Sequence, residues 1–418
     1  MNKRPLKIGY LMQADSVQMN KNSGPQLHVK AVVQGFKRRG HQVRMVAIQK
    51  GRIQWSDDLV KWHPADFSYS ESKPFRMVER ILRGIQSRLH LPFLRLFDSY
   101  RFSDACANAL AGYDILFERD GMISYGGLIT ARRLGIPIVL EVNGDLVEEY
   151  AQLGIQLSKV QWGAINLISR LIFKHASQIV AVGETIKQRL VRRWDLEPSH
   201  VSVVTNGADI DIFRDDSNVP ANVRSRYSIG DGAVIMFIGS FKPWHGVDLL
   251  VDSFASLRAP RATLVLVGDG PLRSDMQSKA DSLCLENRIV FTGKVEHAEV
   301  ASLLSIADVA VIYHRASAAE IVETPLKLFE YMAAGKAIVA PAVPNMKRIL
   351  TNRVTGLLVP PDNPEALAGA LVELLEDEPL RSKIGQAAKQ EAIEKHSWDR
   401  AVSELEAILY DLLDEQKA

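Results

Sequence analysis

Phosphate chemistry is written most plainly into Glu323-Thr324-Pro325-Leu326-Lys327-Leu328-Phe329-Glu330. Thr324 suits a helix N-cap and Pro325 the first helical position. The backbone amides of Leu326 and Lys327 are then unpaired donors at the positive end of a helix, a site for a diphosphate. Glu330, about one turn further in, is placed to accept hydrogen bonds from ribose hydroxyls. The same residues also describe any well-capped helix. Gly239-Ser240-Phe241-Lys242-Pro243-Trp244-His245-Gly246 is a glycine-bounded turn between strand and helix, and its Lys242 offers a mobile positive charge to a departing phosphate. Gly268-Asp269-Gly270-Pro271 and Gly293-Lys294-Val295 follow two further strands. Each turn alone is an ordinary connection, but four of them at strand carboxyl ends predict a lined pocket. In the first half of the chain, Ser23-Gly24-Pro25 opens a helix directly after the first strand, so backbone there can approach a ligand. His28, one turn inside, is expected to be a packed or surface histidine. Asn143-Gly144-Asp145 follows another strand and places two polar side chains at its end.

Other chemistries are excluded by motif. There is no Gly-x-Gly-x-x-Gly dinucleotide fingerprint, no phosphate-loop Gly-x-x-x-x-Gly-Lys-Ser/Thr, no His-Glu-x-x-His and no Gly-x-Ser-x-Gly elbow. Asp209-Ile-Asp211 imitates a metal pair but follows Asn206-Gly207 in a turn. Two cysteines, Cys106 and Cys284, support no disulfide framework and are expected to be buried, reduced thiols.

The elements that position these residues alternate. Strand-like runs at Leu6–Met12, Gln42–Ile48, Asp114–Glu118, Ile136–Val142, Gln178–Val182 and Val201–Val204 are separated by helical patterns. The alternation pauses at Asn206-Gly207 and resumes with Ala233–Gly239, Thr263–Val267, Arg288–Phe291, Asp308–Ile312 and Ala337–Ala340. This predicts two α/β domains with doubly wound parallel sheets facing a shared cleft: residues 1–205, 206–385, and C-terminal helices over 386–418 that cross back to the first domain. With 418 residues, 47% hydrophobic and 24% charged, the composition is that of an ordinary globular protein. No apolar run is long enough to span a membrane, and the basic-then-apolar start is read as a strand rather than a secretion signal. A cytoplasmic protein is expected.

Charge divides the chain. Residues 1–205 carry 29 Lys and Arg against 18 Asp and Glu, a net of +11 that leaves −9 for the remainder. The excess concentrates between Phe75 and Phe102, where Arg76, Arg80, Arg83, Arg88, Arg95 and Arg101 interleave with Ile81, Leu82, Ile85, Leu89, Leu91, Phe93, Leu94 and Phe97. Such a segment suits the inner, anionic face of a membrane, or a solvated helix packed on its own domain. No nucleic-acid-binding motif accompanies it.

In order along nearly the whole chain, SGPQLHVKAVVQGFKRRGHQV, DILFERDGMISYGG, LGIPIVLEVNGD, VVTNGADIDIF, FIGSFKPWHGVDLLVDSF, LVGDGP, IVFTGKV, PLKLFEYMAAGKAIVAP and HSWDRAVSEL resemble the GT-B glycosyltransferases of the large retaining family often called family 4. The resemblance implies a GT-B fold and transfer of a sugar from a nucleotide diphosphate donor, UDP- or GDP-linked, to a lipid-linked, glycan or other cell-envelope acceptor. Anomeric configuration would be retained and neither metal nor cofactor required. By motif position the second domain holds the donor, with Glu330 on ribose and Pro325, Leu326 and Lys327 on phosphate. Gly268, Gly293 and Val295 lie by the nucleotide, and Gly24 approaches the diphosphate from the first domain.

Three positions depart from the family pattern. Ser240 stands where Arg is common and His245 where Lys is, so Lys242, with a protonated His245, would have to neutralise the diphosphate. Val322 stands where the first acid of a spaced pair is usual, with Glu323 adjacent. Asn143 replaces a frequent histidine, leaving Asp145 to contact sugar or acceptor. The alternatives are a transferase-like sugar-nucleotide-binding module without turnover, or a nucleotide-sugar epimerase or phosphorylase on the same fold.

Overall fold

The computed structural model describes residues 4–14, 17–19, 23–88, 96–144, 146, 158–214, 222–257, 259, 261–316 and 324–415. The chain forms two compact units, Met1–Thr205 with Ala401–Ala418, and Asn206–Arg400.

The first unit is built on an eight-stranded sheet: β1 (Lys7–Met12), β2 (Gln42–Gln49), β3 (Arg52–Ser56), β4 (His63–Pro64), β5 (Ile115–Arg119), β6 (Ile138–Val142), β7 (Gln178–Ala181) and β8 (Val201–Val203). Its order is β4-β3-β2-β1-β5-β6-β7-β8. All pairs are parallel except β2–β3 and β3–β4. The antiparallel extension has no counterpart among the expected strands, because Arg52-Ile-Gln-Trp-Ser56 is short and half polar, as edge strands often are. Arg44 covers it, lying 4.1 Å over the Trp55 ring and pairing with Asp57.

Among the described residues, the helices beside the sheet include α1 (Gly24–Arg38), α2 (Lys73–Arg88), α3 (Leu96–Ala109), α4 (Gly126–Leu134), α5 (Lys159–His175) and α6 (Glu184–Trp194). Ser23 caps α1 through its side chain, which accepts from the Gln26 amide. The basic stretch expected between Phe75 and Phe102 is thus two helices with different fates. Phe97, Phe102 and Cys106 of α3 are buried, whereas α2 leaves Met77 64% and Ile81 51% exposed. Leu89, Leu91, Phe93, Leu94 and Arg95 lie outside the described residues.

The second unit holds six parallel strands, β9 (Val234–Ile238), β10 (Thr263–Val267), β11 (Ile289–Gly293), β12 (Val309–Val311), β13 (Ala337–Pro341) and β14 (Leu357–Val359). They stand in the order β11-β10-β9-β12-β13-β14. Numbered within the unit this is 3-2-1-4-5-6, and winding reverses between β9 and β12, where such sheets open a ligand crevice at their carboxyl ends. Alternate residues of β9 enter opposite cores. Ile235 and Phe237 pack with α7 (Val247–Ala255), α8 (Arg273–Ser282) and others. Val234, Met236 and Ile238 pack with α9 (His297–Ser305) and α10 (Leu326–Ala333).

Three helices close the chain, α11 (Pro364–Glu376), α12 (Glu378–Lys395) and α13 (Trp398–Glu415). The boundary expected after residue 385 falls inside α12, whose Ala388 and Ala392 belong to the second unit's core. Cys106 is buried as expected, but Cys284 is exposed, in a turn with φ of 55°. Among the described residues no helix is long and apolar enough to cross a membrane.

Candidate active site

At the carboxyl end of β9 the chain meets two other strand ends. The Gly239 amide donates to the Val267 carbonyl (2.8 Å) and the Gly268 amide to the Gly293 carbonyl (2.9 Å). Gly268 has φ of 130°, and a β-carbon there would stand 1.9 Å from the Gly239 carbonyl oxygen. Only glycine fits this junction, which brings three of the expected donor-side turns together. Val295 packs half-buried beside it against the sheet core.

Helix α10 enters the same region. Its buried face of Leu328, Phe329, Tyr331 and Met332 fixes it under the sheet, and the Ile238 amide donates to Tyr331 Oη at 2.8 Å. The N-cap is Pro325 rather than Thr324, with Leu326 the first helical residue and no side-chain cap. Pro325 has extended ψ (145°), and its carbonyl accepts from Leu328 at 3.0 Å. The amides of Leu326 and Lys327 keep the orphan positions foreseen for them. Glu323, like Val322 and Asp145, lies outside the described residues.

The cations are arranged differently from expectation. Lys242 is exposed and lies 4.7 Å from the Trp244 ring centroid. The Lys327 side chain, which the sequence reading used only for its amide, reaches the strand ends: a β-carbon on Gly239 would be 3.5 Å from its Nζ. Burial pushes its ammonium below the ordinary value, aided by Lys242 and opposed by Glu330. His245 is not a cation in this arrangement. Burial, with Lys327 and Lys242, pulls its imidazole down to about 4, so the expected protonated partner for Lys242 is absent near neutrality. Its Nδ1 faces the Ser240 carbonyl, while Ser240 Oγ is 3.4 Å away. Glu330 is buried, and one carboxylate oxygen meets His297 Nε2 at 2.8 Å, leaving the other for a hydroxyl donor.

The first unit carries a second cluster, at the end of β6. His28 of α1 is buried, with Nε2 2.9 Å from Glu141. The Asn143 side-chain amide donates to the other Glu141 oxygen at 3.1 Å, and Arg119 stands 3.8 Å from it. Burial alone would raise the Glu141 pKa, but His28, Arg119 and Asn143 together hold it below the usual carboxylate range. Because the folded-state value is depressed, the resulting stability is complete above the unfolded value near 4.3 and lost as pH falls through the folded one. Glu141→Gln is therefore expected to destabilise the protein by about 3–5 kcal/mol at pH 7. Denaturant titrations should show the deficit shrinking below about pH 4. A deficit unchanged at pH 3 would contradict this. Nearby, Asp120, Val142, Phe173, Ile186, Arg189 and Trp194 line a largely apolar depression. Gly24 begins α1. Among the described residues no group of His, Cys, Asp or Glu is arranged to hold a metal ion.

Two such α/β units, each built on a largely parallel sheet, are the domains of a GT-B protein. Over 97% of this chain and 100% of the other, the structure superposes on HepE of Anabaena in complex with UDP, with a TM-score of 0.72 at 17% identity. Residues 221–391 match the glycosyl transferases group 1 and residues 22–212 glycosyltransferase family 4. The chain belongs to this glycosyltransferase family. Among its relatives are the D-inositol 3-phosphate glycosyltransferase of Salinispora arenicola, 28% identical over 72% of this chain and 69% of that protein, and the alpha-D-kanosaminyltransferase of Streptomyces kanamyceticus, 23% identical over 71% and 76%.

Proposed function

We propose that this glycosyltransferase moves a sugar from a nucleotide diphosphate donor, held by the second unit, to a lipid-linked or glycan acceptor of the cell envelope. The family resemblance supports retention of configuration. The carrying observation is the corner at the β9–β12 reversal, where Lys327 Nζ lies beside Gly239, on a helix whose first amides, those of Leu326 and Lys327, have no intrahelical partner. Negative charge grows on the departing diphosphate in the transition state, and fixed donors already aimed there stabilise it without a metal ion. Glu330 is proposed for ribose, Gly293 and Val295 for the base, and Asn143 with the apolar depression for the acceptor side. The complex of HepE with UDP supports a nucleotide donor.

Helix α2 supports a cytoplasmic enzyme peripheral to an anionic membrane. Met77, Val78, Ile81, Leu82 and Ile85 are exposed. Arg83 and Arg101 are engaged by Glu79, but Arg80 and Arg88 have no acidic partner among the described residues. Apolar side chains beside unpaired arginines suit an anionic bilayer better than water.

Thermal unfolding with UDP, GDP, ADP and dTDP tests the donor site. One diphosphate is expected to raise the midpoint equally with and without magnesium, reaching about 2.7 kcal/mol of stabilisation at a hundredfold excess over Kd. No shift with any of the four would overturn the donor reading.

A further inference from the structure

Beyond β12 the chain runs through Tyr313 and His314, residues that strand order brings beside the turn after β9 although about 70 residues separate them. The packing is close: a β-carbon on Gly246 would stand 2.5 Å from the Tyr313 ring. His314 is only 2% exposed, and its ring lies 5.3 Å from that of His245, tilted by 32°. His314 Nδ1 has no hydrogen-bond partner among the described residues. His245 spends its Nδ1 proton on the Ser240 carbonyl, so its Nε2 carries a lone pair. Two imidazoles with unused nitrogen, His314 buried and His245 half-buried, therefore stand at the crevice beside Lys327.

We propose that His245 and His314 form a proton-coupled part of the diphosphate site, taking up a proton from solvent as the ligand binds and donating the new N–H to it. This rests on the donor reading above.

The charges around the pair set the direction. Lys242 faces it from its own turn and Lys327 from α10, with Glu330 one turn further along that helix. Arg315, the next residue after His314, is tied to Asp248 of α7 and stands 3.9 Å from Asp362. Without ligand, burial and the neighbouring cations keep both rings neutral, His245 at about 4 and His314, with His245 as a further cause, at about 3. A diphosphate against Lys327 cancels that repulsion and adds attraction. The bound state then holds more protons than the free one, and affinity strengthens as pH falls, by up to about tenfold per unit.

Calorimetric titration of the full chain with UDP, GDP, ADP and dTDP, in buffers of differing ionisation heat at pH 6–7.5, counts the protons taken up. Wild type is expected to take up a substantial fraction of a proton more than His245→Gln or His314→Asn, and the comparison removes the nucleotide's own titration. Each variant should bind about tenfold more weakly at pH 6, with the gap closing at higher pH. Circular dichroism establishes folding, and should His314→Asn fail to fold, the half-buried His245→Gln carries the test. Binding with equal proton counts in wild type and His245→Gln overturns the proposal alone. Absence of binding by all four diphosphates overturns the donor reading, and this inference with it.

Discussion

Lys327→Met should lower kcat/KM by roughly 10²–10³-fold, the loss typical when a donor aimed at developing negative charge is removed from a dry site. Lys242→Met, by contrast, should cost about tenfold or less, because an exposed ammonium is screened by water and salt. The ranking inverts what sequence spacing suggests, since Lys242 sits in the turn that resembles the family's cation-bearing loop. Lys327 is partly withdrawn from water beside Gly239, and burial already disfavours its charge. Its replacement by an apolar side chain of similar length should leave the unfolding midpoint unchanged or raise it. Activity and stability would then move in opposite directions, as at sites where a charge is held at a cost to the fold. Initial rates and melting curves on the two variants decide the matter. A larger loss from Lys242→Met would reassign the leaving-group contact.

Gly268→Ala should act through backbone alone. At φ of 130° the added carbon meets the Gly239 carbonyl at 1.9 Å, a contact that no rotamer relieves. Strand ends β9 and β10 must separate, or Gly268 must abandon its bond to Gly293. Strain and lost pairing together predict a destabilisation of about 3 kcal/mol. For a unit of this size that lowers the midpoint by roughly 6–12 °C. Stabilisation by a nucleotide diphosphate should disappear even where the variant remains folded. Gly369→Ala, inside α11 with nothing within 4 Å, is the matched control and should gain about 0.5–1 kcal/mol. A midpoint for Gly268→Ala within a degree of wild type would show that the strand ends are not held as described.

Much of the scaffold was visible because parallel strands buried on both faces are continuous apolar runs. Thr263-Leu-Val-Leu-Val267 and Val234-Ile-Met-Phe-Ile238 need no context to be recognised. Arg52–Ser56, His63–Pro64 and Leu357–Val359 lack that signal, being short or polar, and exist through the neighbours they pair with. The helix start at Leu326 was legible from Pro325, although the cap moved by one residue. Long-range partnerships were not. Nothing local marks His297 as the partner of Glu330, 33 positions away, or a single histidine after Val309–Val311 as the neighbour of His245. The Lys327 side chain was overlooked for a related reason: its direction depends on which face of α10 the core claims.

Helix α13 carries a further implication, for how the protein is made. It opens in the second unit and from Ala401 belongs to the first, where Val402 packs on Gly35, Glu406 engages Arg39 and His41, and Tyr410 donates to the Arg4 carbonyl. Arg4, Gly35, Arg39 and His41 thus wait for residues synthesised after the whole second unit. A ribosome releasing the first two hundred residues has made a sheet whose α1 flank still lacks its cover. The second unit, contiguous in sequence, can finish earlier despite starting later. Translation order and folding order are therefore reversed, and nascent chains arrested before Ala401 should present the first unit to chaperones and proteases in an incomplete form.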